Sequence, residues 1–402
     1  MIRQLLAAAI LLACAVFSSA GAQSLYSLRG FGEDTGAQHS HSRALGSTGA
    51  ALASPGIFAN PALLLFAQRT TFSGTLALDW TKTEESSSDK SRQEYGFTVS
   101  NLSLLFPFTP DIVLGLGLLY DRRIDGTIEA EASIESETYT QIFNQEGNML
   151  RFPALLGWRV GGTEIGGGAD VLLFTTKRSW QNRFPLDSGF NSSADIDRET
   201  LWSIAAKLGA RRAFGQRFAV GAWGSLPREF RGNRFLESDD AQDDPDDVKI
   251  HVEEDLAPSA TLGVEAFVFP RLRVVADWTY EMWEDQTPRN PIDEYQDVHR
   301  IGVGVEYISL GRSTFMQSMP IRGGFHIQPL HVLDTNGEQV LEMVLSAGSG
   351  FGFADGGGQF DWVIEYGRRG DSDNEFQEQF VRFGATLTGF ERWTRRRPPE
   401  ED

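Results

Sequence analysis

Arg273, Asp277 and Glu281 recur at every fourth position, as do Arg322 and His326, and Asp361 and Glu365; Arg300 and Glu306 lie six apart. Even spacing places each set on one face of an extended strand. Both signs occur, so these residues would pair with one another along a polar wall rather than form a one-sign ion filter. His326 shares its face with Arg322, where a structural hydrogen bond is the expected role. Catalytic patterns are missing: there is no Gly-x-Ser-x-Gly elbow and no His-Glu-x-x-His. A membrane hydrolase would need a nucleophile, and no spacing singles one out. His39 and His41 would face one way on an extended segment, but two ligands are too few for a metal site. The chain reads as a non-enzyme, with no metal and no cofactor.

The strands carrying these charges are apolar on their other face. Leu272, Val274, Ala276, Trp278, Tyr280 and Met282 oppose Arg273, Asp277 and Glu281; Ile301, Val303, Val305 and Tyr307 oppose Arg300, Gly302, Gly304 and Glu306; Phe360, Trp362, Ile364 and Tyr366 oppose Asp361 and Glu365. Apolar faces toward lipid and charged faces toward a lumen are what a membrane barrel requires. The alternation begins at Phe72, Gly74, Leu76, Leu78 and Trp80, and recurs near 95–106, 112–120, 150–159, 165–176, 201–211, 217–226, 259–268, 272–283, 298–308, 320–330, 340–353, 360–368 and 377–390. These make fourteen strands. Connections such as Gly161-Gly162-Thr163, Phe214-Gly215-Gln216, Phe269-Pro270 and Ala354-Asp355-Gly356 are short, whereas those after strands one, three, five, seven and nine are long and polar. An even strand number with connections sorted by parity predicts an all-β fold, a transmembrane antiparallel barrel of about 14 strands. Trp80, Tyr95, Tyr120, Trp158, Trp180, Trp202, Trp283, Tyr307, Tyr366 and Phe390 fall near strand ends and would form its interfacial girdles. The glycine pairs Gly115/Gly117 and Gly302/Gly304 and the triple Gly348/Gly350/Gly352 have strand spacing and read as sites of bending or close packing.

Residues 1–22 join Arg3, an apolar run from Leu5 to Phe17 and the small exit Ala20-Gly21-Ala22, the pattern of a secretory signal peptide. The one cysteine, Cys14, lies inside that run; a lipoprotein reading would cleave before it, but Leu12 stands where a smaller residue is usual. Export without a disulfide leaves stability to a large core or a closed sheet. After residue 22 no apolar run reaches the eighteen or so residues of a membrane helix, a test that barrels escape. A formal charge of −19 argues against nucleic acid as a partner. Much of the acid is one block, Glu237 to Asp247, which reads as a solvated loop because EF-hand ligand spacing and its glycine are missing. The chain past Phe390 carries Arg395-Arg396-Arg397. The expected organisation is 1–22 signal peptide, 23–67 N-terminal hatch, 68–390 barrel and 391–402 periplasmic tail.

The stretch from Ser42 to Phe66 is small, apolar and almost uncharged, and Pro55-Gly56 breaks it. Asn60 would cap a short helix, with Pro61 at its first position and Ala62 to Phe66 continuing it. The order Arg43-Ala44-Leu45-Gly46, Gly49-Ala50-Ala51, Asn60-Pro61-Ala62 resembles the hatch of the FadL/TodX family of outer-membrane proteins, which carry long-chain fatty acids and other hydrophobic compounds. Further on, Arg273 to Trp283, Gly304-Val305-Glu306-Tyr307 and Ile321-Arg322-Gly323-Gly324-Phe325 are similar to strands of FadL-like and PorV-like barrels. Two departures stand out: Ser54-Pro55-Gly56 replaces acidic residues that commonly precede Asn-Pro-Ala, and Leu63 stands where glycine often follows. The resemblance implies a helical plug in the lumen, an outer-membrane location and passive uptake of hydrophobic small molecules past the hatch. Arg43, Gly46, Gly49, Asn60, Pro61 and Ala62 would form the hatch motif, and Ile57, Phe58, Leu63, Leu64, Leu65 and Phe66 would touch ligand or simply pack the plug. A PorV-like barrel that does not transport, but partners a secretion system or surface protein, is the alternative. The implied contacts are outer-membrane lipid and a hydrophobic ligand.

Overall fold

A computed structural model describes residues 24–35, 38–54, 58–86, 91–134, 137–185, 190–238, 248–290, 293–308, 319–353 and 356–391. The signal-peptide expectation, the tail after Glu391, most of the acidic block and Ile57 lie outside them. Seventeen strands occur among the described residues. In chain order they are β1 (Glu33–Asp34), β2 (Thr70–Glu85), β3 (Ser91–Thr109), β4 (Ile112–Ile134), β5 (Glu137–Val160), β6 (Thr163–Arg183), β7 (Ser193–Phe214), β8 (Phe218–Pro227), β9 (Phe230–Ser238), β10 (Val248–Glu254), β11 (Ser259–Phe269), β12 (Leu272–Glu281), β13 (Val298–Tyr307), β14 (Ile321–Pro329), β15 (Leu341–Phe353), β16 (Gly358–Arg369) and β17 (Phe376–Glu391). β8 and β9 both pair with β7, and β10 and β11 pair with β9 and β8, so each couple is one interrupted staff of the wall. With β1 set aside, the wall has fourteen staves. β17 pairs with β2 and closes the barrel.

Burial is inverted relative to a soluble sheet. On β2, Thr71, Ser73, Thr75, Asp79, Thr81 and Thr83 are buried, while Phe72, Leu76 and Leu78 are 39 to 52% exposed. Apolar residues facing outward all round the wall match a lipid solvent, and polar residues facing inward satisfy one another. The two-residue connection Gly161–Gly162 has positive φ at both positions (57° and 81°), the mirror-image turn that fits the twist of paired strands and favours glycine.

Three features differ from the sequence expectation. The stretch from Tyr120 to Gly147 is no loop excursion: β4, β5, β6 and β7 run for 23, 24, 21 and 22 residues, about twice what a membrane crossing needs. Ladder hydrogen bonds continue past the apolar band, so polar sequence there still forms strand. Trp283 and Tyr120 are buried rather than interfacial, while Tyr95, Trp202, Tyr307 and Tyr366 stay exposed. The N-terminal segment is mostly irregular backbone, with one α-turn (Ser40–Arg43) and two 3-10 helices (Leu25–Leu28 and Pro61–Phe66).

The wall also has a seam. Among the described residues, β3 and β4 pair only between Asn101↔Leu119 and Thr109↔Ile112. Above that point β3 stays with β2 and β4 with β5. Irregular register at Thr75/Leu76 against β3, and at Tyr120/Arg122 on β4, marks bulges where the two edges part. On the β2–β3 side the seam is bordered by the outward apolar residues Leu78, Phe97 and Tyr95. From inside, β1 pairs with the freed edge of β4 through Glu33↔Arg123 and Asp34↔Arg122. The Thr35 amide donates to Asp121 O at 3.1 Å and its hydroxyl donates to Tyr120 O.

Candidate functional site: the occupied lumen

The short-turn half of the lumen carries a belt of alternating charge. Arg211 bridges Glu164 (3.3 Å) and Glu265 (2.8 Å); Arg273 bridges Glu265 (3.0 Å) and Glu306; Arg322 bridges Glu306 (2.8 Å) and Asp361 (2.6 Å). All seven groups are almost fully buried. Removing charge from water is costly, and strict alternation gives each of the five inner members a partner on both sides. A second chain runs His326, Glu342, Arg369, Glu33, Arg123, Asp79, Arg382, Glu365 and Arg43.

The N-terminal segment rests on these belts. Asp277 accepts from the Gly49 and Ala50 amides at 2.6 and 2.8 Å; Arg300 donates to Ser47 O at 2.9 Å; Arg211 donates to Ala51 O at 2.7 Å. Arg43 pairs with Glu365, its Nε at 3.1 Å. Asn60 Oδ1 caps the Pro61–Phe66 helix through the Ala62 amide at 2.9 Å, and its Nδ2 donates to Ala50 O (2.7 Å) and Ala210 O (3.1 Å). Close approach of two backbones is why the facing strands carry glycine: a Cβ at Gly304 would sit 2.5 Å from Leu45 O, and one at Gly221 would overlap Ala50 O. Burial pushes the His39 imidazole down to about 4. His41, beside Glu306 at 3.3 Å, is also lowered, because burial and Arg322 together outweigh that carboxylate.

Apolar side chains pack around these polar contacts. Phe58, Leu64 and Leu65 pack on Leu105, Val113 and Leu155, and Leu63 packs with Leu45, Leu52 and Val275. Phe66 lies under the Arg211 guanidinium at 4.9 Å. The opposite, long-connection half is closed by rings. Phe31 contacts Phe174 (5.4 Å), Phe230 (5.6 Å) and Trp283 (5.9 Å), with Ile124, Met149 and Leu201 in the same cluster. Arg289 enters from the 282–297 connection, stacks on Phe174 at 4.5 Å and pairs with Glu199.

Of the nine lumen residues expected from sequence, Arg273, Glu306, Arg322 and Asp361 meet in the first belt. Asp277 and Arg300 hold the N-terminal segment, Glu365 meets Arg43, and His326 meets Glu342 at 3.6 Å. Glu281 is apart, at the mouth, accepting from Trp283 Nε1 at 2.8 Å. Sequence reading missed Arg211, Glu265, Glu33, Arg123 and Arg369. Glu265 was findable from period two, since it falls between outward Val264 and Ala266; Glu33 has no strand periodicity to expose it.

A fourteen-stave barrel with its N-terminal segment folded into the lumen is an outer-membrane-type barrel with the FadL/TodX architecture. A family model described as BamG matches residues 1–177. No curated protein matches the sequence. Solved structures share the fold at low identity. The Pseudomonas putida toluene transporter TodX is 16% identical, with a TM-score of 0.58 over 91% of this chain and 100% of that one. A Pseudomonas aeruginosa FadL homologue is 12% identical, with a TM-score of 0.58 over 90% and 99%. The CymD monoaromatic hydrocarbon channel is 15% identical, with a TM-score of 0.56 over 88% and 98%.

Proposed function

We propose that this protein is a passive outer-membrane channel for hydrophobic small molecules, which enter at the ring-lined mouth and leave sideways into the bilayer. The seam between β3 and β4 is the observation that carries this reading. A straight exit is opposed by the N-terminal segment and its many buried ion pairs, whereas the seam is flanked on β3 by outward Tyr95 and Phe97 and is backed by the two-residue β1, with its Glu33–Arg123 pair, and by the Thr35 bonds. Lateral exit also spares an apolar solute the aqueous periplasm. The fold is shared with TodX and CymD, which are described as a toluene transporter and a monoaromatic hydrocarbon channel. Hatch residues Phe58, Leu63, Leu64, Leu65 and Phe66 would form the floor of the route. Uptake of radiolabelled toluene and palmitate by cells lacking the protein tests this: reduced uptake of either, restored by the gene, is expected, and unchanged uptake of both overturns it.

The second reading, a barrel that partners a secretion or surface protein, draws on the tall β4–β7 wall. There Tyr139, Phe184 and Phe190 stack in sequence at 4.6 and 5.2 Å, and Trp180 is exposed. Copurification of a stoichiometric partner that Trp180→Ser and Phe190→Ser release would favour it.

A further inference from the structure

Between the two plugs lies a cavity of about 170 Å³. A cavity of roughly 150 Å³ accommodates a benzene ring, so a single substituted ring fits. Phe58, Pro153, Leu172 and Trp223 supply apolar lining, and Arg151, Asp170 and Lys207 reach it as well. Lys207 is committed: its Nζ donates to Phe58 O at 3.0 Å and lies 4.6 Å from the centre of the Trp223 ring. Arg151 donates to Asp121 at 2.8 Å through one terminal nitrogen, and its Nε donates to no described residue. Asp170 is 1% exposed, and neither of its carboxylate oxygens accepts a hydrogen bond from any described residue. The nearest cations, Arg151 at 3.6 Å and Lys207 at 4.0 Å, stand beyond hydrogen-bond range.

We propose that this cavity binds a neutral aromatic compound bearing one hydroxyl, a phenol in class, whose O–H donates to Asp170 while its ring packs against Phe58 and Trp223. This rests on the uptake reading and names its substrate. The charges select the class. A carboxylate ligand would bring negative charge onto Asp170; an ammonium would meet Lys207 and Arg151. A plain hydrocarbon fills the volume but brings no donor, and a buried acceptor left without one is penalised. A neutral hydroxyl donor satisfies all three constraints.

Isothermal titration of the detergent-solubilised full chain with phenol, toluene and palmitate tests the assignment. Phenol is expected to bind at least tenfold more tightly than toluene, and palmitate not to compete with it. Asp170→Leu should abolish the phenol preference while leaving toluene affinity within threefold. If that variant does not fold, Asp170→Asn, which keeps an acceptor oxygen, should narrow the preference at least threefold. Equal binding of phenol and toluene, a preference untouched by either substitution, or palmitate competing with phenol overturns the assignment. Flux into proteoliposomes separates the two ideas. Asp170-dependent phenol binding without flux defeats the uptake reading alone, and toluene flux without phenol preference defeats the phenol assignment alone.

Discussion

The two halves of the lumen are closed by opposite chemistry. On the short-turn side, irregular backbone from Ser47 to Ala51 is held by Asp277, Arg300 and Arg211, groups that themselves belong to or neighbour buried charge pairs. On the long-connection side, Phe31 packs among Phe174, Phe230 and Trp283, and polar contacts reach its neighbours rather than its ring: Asp293 accepts from the Gly30 amide and Glu33 pairs with Arg123 and Arg369. Hydrogen bonds and ion pairs are directional, and breaking one leaves a buried partner unsatisfied. Ring packing is non-directional, and an apolar solute can replace it contact for contact. The first closure therefore resists opening throughout, whereas in the second the ring packing around Phe31 is the part that an apolar solute can exchange with.

That contrast can be broken at either end. The largest effect is expected from Arg322→Leu, which leaves buried Asp361 without its cation and Glu306 with Arg273 alone on that side. A loss of about 3–5 kcal/mol is expected, read as a lowered thermal midpoint together with protease cleavage within residues 24–69. Phe31→Ala should cost about 3–5 kcal/mol by the scale for core aromatics, but locally: hydrogen exchange should rise around Gly30–Thr35 while Ser47–Ala51 stays protected. Equal loss of protection at both would erase the distinction between the two closures. Asn60→Ala removes a helix cap and two further bonds, a change of about 1–2 kcal/mol confined to the Pro61–Phe66 turn in the same exchange measurement.

Acidification should give the smallest change. His39 is held neutral by burial, down to about 4, against an ordinary value near 6.5. Between those values the unfolded segment binds the proton and the folded one does not, so hatch stability falls as pH drops from about 6.5 to 4 and levels off below. His41, lowered in the same direction, adds to it. His39→Gln should flatten part of that slope; an unchanged slope in this variant and in His41→Gln would show that the imidazoles do not couple to the hatch.

Thr35→Val offers a sharper probe of the seam. It deletes the hydroxyl that donates to Tyr120 O but keeps the amide bond to Asp121 O, so flux of apolar probe through proteoliposomes should rise without loss of barrel stability.

Period-two patterning determined much of this protein from sequence alone. All fourteen staves, their apolar outer faces and the charged inner positions at 273, 306, 322 and 361 were legible, because a strand between lipid and lumen writes both environments into alternate residues. The Asn60-Pro61 helix start was legible too, since a cap is a local device. Only the tertiary structure decided the rest. The alternating belts join residues from strands far apart in sequence, and β1 attaches Glu33 to Arg123 and Arg369 across the lumen. Whether Trp283 faces lipid or packs against Phe31 depends on how the connection after β12 folds back, which alternation along a strand does not encode. The seam likewise arises from pairing between strands: β3 and β4 each keep a regular pattern, and their separation appears only when the edges are set side by side.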